Sequence, residues 1–385
     1  MQKNNPVETF LNLPASAKNV CFLHSQHKSI LAYNPVAKFS SLNNINDFYK
    51  FASQHKDKKI IGFMSYDTAY NLYNIKPQAK NDLHLPNIYF LAFSAWQEFK
   101  NPNMDFNLPL KKYSSVNFHP VIKPTQYKQS YQKIKKYIEQ GEVYQINLTH
   151  RLEGKSDMPA RILFANIIKT NPADYLAYIE GDGFEVLSAS PERFIKIKNK
   201  TIETCPIKGT RPRGKTKAKD LALKKELLAS IKEAAELNMI TDLLRNDLGQ
   251  VAKIGSVKLV GHRLISSCPT VWHTYSRIVA KIALNPIQAL ITMLPGGSIT
   301  GCPKKRAFEI IDELEPVRRG IYTGVIGHID PKTQNLDFNI AIRTVIKKKH
   351  KLYLQVGGGI VYDSKEKDEW QETLDKAQSF MKILK

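Results

Sequence analysis

The sequence predicts an α+β protein whose sheets are mostly antiparallel. Runs of aromatic and β-branched residues at strand spacing recur along the chain, short turn signals join neighbouring runs, and helical stretches stand in blocks between them. With 385 residues, the chain is long enough to bury a large core.

The elements follow in order. NVCFLHS (19–25), SILAYNP (29–35), KIIGFMSYD (59–67) and NIYFLAFSAW (87–96) read as strands, and residues 101–115 as a polar, proline-containing connector. TQYKQSYQKIKKYIEQGEV (125–143) spaces its apolar residues three to four apart and ends at Gly141, the pattern of an amphipathic helix with a glycine cap. VYQINLTHRL returns to strand spacing, and YLAYIE, FEVLSAS and RFIKIKNKTIETCP make an antiparallel meander. A long helical region runs from Lys219 to about Asn246. The last third holds a helix in CPKKRAFEIIDEL, strands in YTGVIGHID, DFNIAIRTVIKK and KLYLQVGGG, and a final helix from about Lys367. No internal repeat or low-complexity segment interrupts this order.

Composition narrows the function classes. The formal net charge is +22 at pH 7, yet it is mostly lysine spread along the chain, with no basic stripe interleaved with aromatics. Such dispersed charge reads as solvated surface, so no nucleic-acid partner is expected. Cys21, Cys205, Cys268 and Cys302 are far apart and lack zinc-ligand spacing, which fits reduced thiols. The N-terminus lacks the apolar core of a signal peptide, and no stretch reaches about 18 unbroken apolar residues. A cytoplasmic protein with no membrane partner is expected.

A few stretches carry chemistry. Glu233 and Glu236, and likewise Glu369 and Glu372, stand three apart in helical sequence and share a helix face. If the two faces met, four carboxylates would need a cation, and an oxygen-only donor set favours Mg²⁺. The alternative is helix surface neutralised by nearby lysines. LPGGSITGCPKKRAFEII (294–311) is not a Walker A loop, because Cys302 and Pro303 follow Gly301. With Pro303 in the first helical turn and Thr300 nearby, a backbone anion site is a candidate there. Gly357, Gly358 and Gly359 end a strand, which suggests either close backbone approach to a ligand or a bulge. Arg343 in IAIRTV reads as a strand residue that faces either an anion or solvent.

SASPERF, PIKGTRPRG, MITDLLRNDLGQV, PGGSITGCPKKRAFEIIDELE, IAIRT, VGGGIVYDS and EWQETLDKAQ, in this order, resemble the chorismate-utilising enzymes, a family that includes anthranilate synthase component I, aminodeoxychorismate synthase component I, and the isochorismate and salicylate synthases. The resemblance covers residues 120–382 as the chorismate-binding catalytic region; residues 1–115 form a less similar N-terminal region, with IGFMSYDTAY alike. It implies sheets packed as a sandwich with flanking helices, and an active site in the cleft between them. It also implies Mg²⁺ bound by Glu236 and Glu372, with Glu233 and Glu369 as water-mediated or outer partners. Glu192 of SPERF matches the general acid/base. Arg343, Tyr322 and Gly357 to Gly359 match positions that bind the substrate's carboxylates, and Thr300, Lys376 and His273 match further pocket positions. A histidine beside aromatics, as His273 is, is otherwise a packed core residue.

Within the family, PIKGT resembles the aminodeoxychorismate synthases, whereas anthranilate synthases have alanine where this chain has Lys208. The resemblance implies that Lys208 attacks C2 of chorismate as the 4-hydroxyl leaves, and that ammonia then attacks C4 and expels the lysine. At a reference pKa near 10.4, a neutral lysine costs about 4 to 5 kcal/mol at pH 7. Burial and cations such as Arg211, Arg213 and Mg²⁺ would reduce this cost. Gln145 stands where isochorismate and salicylate synthases carry the lysine that activates water, so water addition is disfavoured. FLHS (22–25) replaces the motif linked to tryptophan feedback. No cysteine has the context of a glutaminase nucleophile, which implies a separate glutamine amidotransferase subunit supplying ammonia and a separate lyase finishing p-aminobenzoate. Anthranilate synthase component I is the alternative reading.

Overall fold

The computed structural model describes residues 5–108, 116–267 and 271–381; residues 109–115 of the expected connector, Cys268 and residue 382 lie outside the described residues. Two antiparallel sheets form the centre. In the first, the spatial order is Gly301–Cys302, Gln145–Lys155, Lys351–Ile360, Thr344–Lys348, Glu185–Ser190, Tyr175–Glu180, Cys21–Ser25, Lys28–Ala32 and Gln97–Lys100. In the second it is Ile207–Pro212, Val271–Lys281, Thr201–Thr204, Arg193–Lys198, Asn335–Ile340, Val325–Asp330, Lys59–Met64, Ile88–Phe93 and Ala37–Ser41. Strands from the first hundred residues therefore enter both sheets.

Side-chain alternation explains the layering. Leu23, Ile30, Phe63, Tyr89, Leu91, Val186, Ile326 and Ile346 pack between the two sheets. On the outer face of the first sheet, Phe10, Phe22, Phe164 and Tyr178 make a cluster of edge-on and tilted rings. The largest cluster joins the second sheet to helices Ile45–Gln54, Ile231–Gly249, Pro286–Thr292 and Lys304–Leu314. This is the expected sandwich with flanking helices.

Several elements differ from the sequence expectation. The region from Lys219 is two helices, Lys217–Ala229 and Ile231–Gly249, because Ser230 leaves helical geometry and its hydroxyl caps the second helix at the Glu233 N–H. DFNIAIRTVIKK is two strands, Asn335–Ile340 and Thr344–Lys348, which lie in different sheets. Arg343 is therefore not a strand residue: it sits in the crossover with φ +49°. The helix Ile45–Gln54, capped by Asn44 at the Asp47 N–H, and the hairpin of Lys258–Ser267 with Val271–Lys281 are additional elements.

One buried ion pair ties the layers together. Arg319 places its guanidinium on both oxygens of Glu315, at 2.9 and 2.7 Å, with both side chains almost fully buried. The same guanidinium donates to the carbonyls of Ile299 and Asn147, and lies 4.6 Å from the Tyr66 ring centre. Glu315 also accepts the Thr149 N–H at 2.9 Å. Replacing one partner strands a buried charge. Arg319→Met is expected to lower stability by about 3 to 5 kcal/mol in urea unfolding. Arg319→Met with Glu315→Gln should recover more than half of that loss.

Candidate active site

Two of the passages between the sheets lie side by side, and they hold the candidate site. Ser190–Arg193 carries the chain from the first sheet to the second, and Ile340–Thr344 carries it back. These crossovers run side by side, with the Ala189 N–H on the Arg343 carbonyl and the Ile340 N–H on the Glu192 carbonyl, both at 3.0 Å. They bring Glu192 and Arg343 to the wall of a cavity of about 180 Å³, also lined by Lys208, Ser298, Tyr322 and Glu372.

Glu192 is 8 % exposed and accepts a hydrogen bond from the Ser298 hydroxyl at 3.1 Å. Burial pushes its carboxyl from the usual 4.5 to about 7, although Ser298 and the Lys208 charge both pull it back. Near neutrality this group can hold or release a proton. Tyr322 is buried beside it, and burial raises its phenol, opposed by Arg319.

Lys208 reaches the cavity because its strand is irregular. The pairing register of Ile207–Pro212 with Val271–Lys281 shifts between Lys208 and Thr210, at Gly209 with φ +80°. Ile207 and Lys208 both contribute to the cavity lining. A Cβ on Gly209 would also stand 3.1 Å from Glu233 Oε2 and from Thr274 Oγ1. His273 supports this bulge from behind: its Nδ1 lies 2.9 Å from Thr210 Oγ1 and 3.3 Å from the Gly209 carbonyl. Burial lowers its pKa, helped by the Arg343 charge.

The company of Lys208 differs from the expectation. Arg211 is bound to Glu226 at 2.7 Å and Glu233 at 3.3 Å, while Arg213 is bound to Asp220 and lies 4.2 Å from the Trp272 ring centre. Both arginines are neutralised by their own carboxylates. Lys208 Nζ instead lies 4.0 Å from Glu236 Oε2, and its charge acts on Glu192 and Glu372.

The four helix glutamates are divided in the same way. Glu233 meets Arg211, Glu236 meets Lys208 and Lys232, Glu369 accepts from Ser364 at 2.6 Å, and Glu372 meets Lys376 at 2.6 Å. Among the described residues, no three acidic, histidine or cysteine side chains converge closely enough to hold a metal ion. Burial and the Glu372 charge raise the Glu369 pKa. For Glu372, burial is outweighed by Lys376, Lys208 and Lys232, and its pKa is lowered. Lys208 and Lys232 act on carboxylates of both helices, which places the two acidic faces about one shared set of ammonium groups.

The glycine strand is open where it matters. Lys351–Ile360 pairs with Thr344–Lys348 only as far as Leu354, whereas its pairing with Gln145–Lys155 continues to Ile360. Gly357 and Gly359 line the cavity, and Lys376 donates to the Gly357 carbonyl at 2.8 Å. Gly358 faces the final helix, where a Cβ would lie 3.2 Å from Glu369 Oε2 and 3.8 Å from Glu372 Oε1. Gln145 is buried behind Gly359, and its Nε2 has no hydrogen-bond partner among the described residues.

One expected wall residue lies elsewhere. Thr300 is fully buried and donates to the Gly296 carbonyl at 2.8 Å; Ser298, two residues earlier, lines the cavity instead. Next to Pro303, the Lys304 ammonium donates to the carbonyls of Met293 and Pro295.

Whole-chain comparison decides what kind of protein builds this cavity. The sequence matches the family of chorismate binding enzymes over residues 13–382. The chain belongs to that family. It is 36 % identical over 359 residues to aminodeoxychorismate synthase component 1 of Bacillus subtilis, covering 84 % of this chain and 76 % of that protein. Against the protein of the same name from Escherichia coli it is 38 % identical, covering 76 % and 64 %. Anthranilate synthase component 1 of Cereibacter sphaeroides is 41 % identical, over 66 % of this chain and 51 % of that protein. The crystal structure of anthranilate synthase component I from Streptococcus pneumoniae superposes with a TM-score of 0.83 at 27 % identity, covering 98 % and 97 %.

The protein is thus a chorismate-utilising enzyme. Within its cavity stand Lys208, Glu192, Arg343, Tyr322, Gly357, Gly359, Glu372 and Lys376, while Thr300, His273 and Gln145 lie behind its walls. Ser298 and Asn147 are wall residues beyond those expected; Asn147 donates to the Ile299 carbonyl at 2.9 Å. Their only signal was proximity to stretches already singled out.

The raised Glu192 pKa has a consequence for stability. The folded state binds this proton more tightly than the unfolded chain, so its contribution falls as pH rises from 4.5 to about 7. Glu192→Gln is expected to match the parent in urea unfolding near pH 4 and to exceed it by up to about 3 kcal/mol near pH 8.

Proposed function

We propose that the protein is the chorismate-aminating component of an aminodeoxychorismate synthase, converting chorismate and ammonia to 4-amino-4-deoxychorismate and water. The observation that carries this reading is Lys208 in the same cavity wall as Glu192, a carboxyl poised near neutrality. Lys208 passes a proton to Glu192 and its neutral Nζ bonds to C2, the two ring double bonds each move by one position, and the C4–O bond breaks. Glu192 supplies the proton that lets the hydroxyl leave as water. Ammonia then bonds to C4, both double bonds shift back, and the C2–N bond breaks to release Lys208 as a neutral amine. Glu192 recovers a proton from the incoming ammonia nitrogen.

Arg343 and Tyr322, with the unpaired edge of Gly357 to Gly359, suit the two substrate carboxylates. The chemistry of the remaining donors suits Mg²⁺, which chorismate-binding enzymes generally use. Glu236 and Glu372 would hold it, with Glu233 and Glu369 behind, and the bare Cα of Gly358 leaves space beside them. The metal would supply positive charge against the ring carboxylate. Lys208, Lys232 and Lys376 balance the same glutamates without it.

The described cysteines supply no glutaminase nucleophile: burial raises the thiols of Cys21, Cys205 and Cys302, Cys205 to about 11. This agrees with a separate amidotransferase as the ammonia source; a separate lyase for the step to p-aminobenzoate belongs to the same proposal. A cytoplasmic setting accords with the absence, among the described residues, of any helix long and apolar enough to cross a membrane.

Chorismate, Mg²⁺ and ammonium at alkaline pH are expected to yield aminodeoxychorismate, read as p-aminobenzoate after added lyase. Lys208→Ala should abolish this product, and Glu192→Gln should lower kcat by about 10²–10⁴-fold. Anthranilate as the released product, formed equally by Lys208→Ala, would establish the anthranilate synthase alternative.

A further inference from the structure

Lys304 opens the helix Lys304–Leu314 well behind the cavity, yet all three of its ammonium hydrogens are committed. Its Nζ lies 3.0 Å from Asp247 Oδ1, 3.2 Å from the Met293 carbonyl and 3.1 Å from the Pro295 carbonyl. Asp247 belongs to the helix Ile231–Gly249, which also carries Glu233 and Glu236. Met293 ends the helix Pro286–Thr292, and Pro295 begins the loop that carries Ser298. One side chain therefore joins three helices and the loop that touches Glu192.

The joint is close-packed and dry. Asp247 is 3 % exposed, and its Oδ2 has no hydrogen-bond partner among the described residues, so Lys304 is the cation that balances it. A Cβ on Gly297 would lie 3.3 Å from that oxygen and 2.6 Å from Leu243 Cδ2, so the loop rests directly on the helix. The next residue is Ser298, whose hydroxyl donates to Glu192 Oε1.

We propose that Lys304 is a positioning residue for the reaction: by binding Asp247 and the carbonyls of Met293 and Pro295, it holds the loop so that Ser298 keeps its hydrogen bond to Glu192. This rests on the reading of Glu192 as the proton donor, and assigns the setting of that donor to a residue outside the cavity. A hydrogen bond to the charged carboxylate favours ionisation, so release of Ser298 makes Glu192 hold its proton more tightly. The other charged or titratable groups facing Glu192 across the cavity are Lys208, Arg343, Tyr322, Glu372 and Lys376, none of which Lys304 touches.

The test is the Glu192 titration in the free protein, followed by carbon-13 NMR of labelled glutamate side chains and assigned with Glu192→Gln. Ser298→Ala provides the reference, an upward shift of about one unit. Lys304→Met combined with Asp247→Asn removes both charges, so no carboxylate is left stranded. This double variant is expected to shift the Glu192 titration upward by the same amount, with no further shift when Ser298→Ala is added. Lys304→Arg keeps a cation against Asp247 but cannot place three donors on one atom; it is expected to fold and to shift in the same direction, and it serves if the double variant does not fold. An unmoved titration in a folded variant, even with a lowered Tm, would overturn the proposal. So would a shift that simply adds to that of Ser298→Ala. The readout needs no substrate, so failure of the proposed reaction would be seen separately, in the product assay.

Discussion

The structure depends on a charge pair that never meets water. Glu315 and Arg319, four residues apart after the helix Lys304–Leu314, spend nearly all their hydrogen-bonding capacity on each other and on backbone from distant segments. Those segments are the strand behind the cavity, through Asn147 and Thr149, and the loop in its wall, through Ile299. Such a pair gains little over an apolar replacement, but either half alone is costly. Its value lies in geometry: a strand of the first sheet and one loop share a single fixed point, and the cavity lies beside it.

The chemistry then follows from where charges are allowed to sit. Glu192 enters the cavity from a crossover, between strands rather than on one, and loses most of its water there; burial, opposed by Ser298 and the Lys208 charge, sets its proton near neutrality. Lys208 arrives from the other sheet beside a glycine bulge, into a wall that also carries Glu372, with Glu236 4.0 Å from its Nζ. Arg211 and Arg213, three and five residues further on, are engaged by Glu226, Glu233 and Asp220 instead. The charged groups on which Lys208 acts are thus carboxylates, and under the proposed reading a cation held by those glutamates would offset their charge.

Much of this was legible in the sequence, and what was not has physical reasons. Local periodicity marked most strands and the helix Pro124–Glu139, because a pleated or helical face repeats within a few residues. It failed at IAIRTV, where apolar alternation continues straight through a crossover and only the positive φ of Arg343 marks the break. It also failed at Ser230, a helix cap with no glycine or proline beside it. Ordered motifs identified the site as a set, since Lys208, Glu192, Arg343 and Glu372 do meet in one cavity. The exchange of Thr300 for Ser298 shows the limit: in a loop with 3₁₀ geometry, a shift of two residues turns a side chain from the cavity to the interior. The partners of Arg211 and Arg213 are long-range or rotamer-dependent, and no local pattern specifies them.

The central claim is that Lys208 takes part in the reaction as a nucleophile, and trapping it tests this most directly. The protein is incubated with chorismate and Mg²⁺ without ammonia, quenched, digested and analysed by mass spectrometry. The account predicts that the peptide carrying Lys208 gains the mass of chorismate less one water, that ammonium added before the quench removes this gain, and that Glu192→Gln suppresses it. An unmodified Lys208 under conditions where ammonia-dependent turnover proceeds would contradict the account.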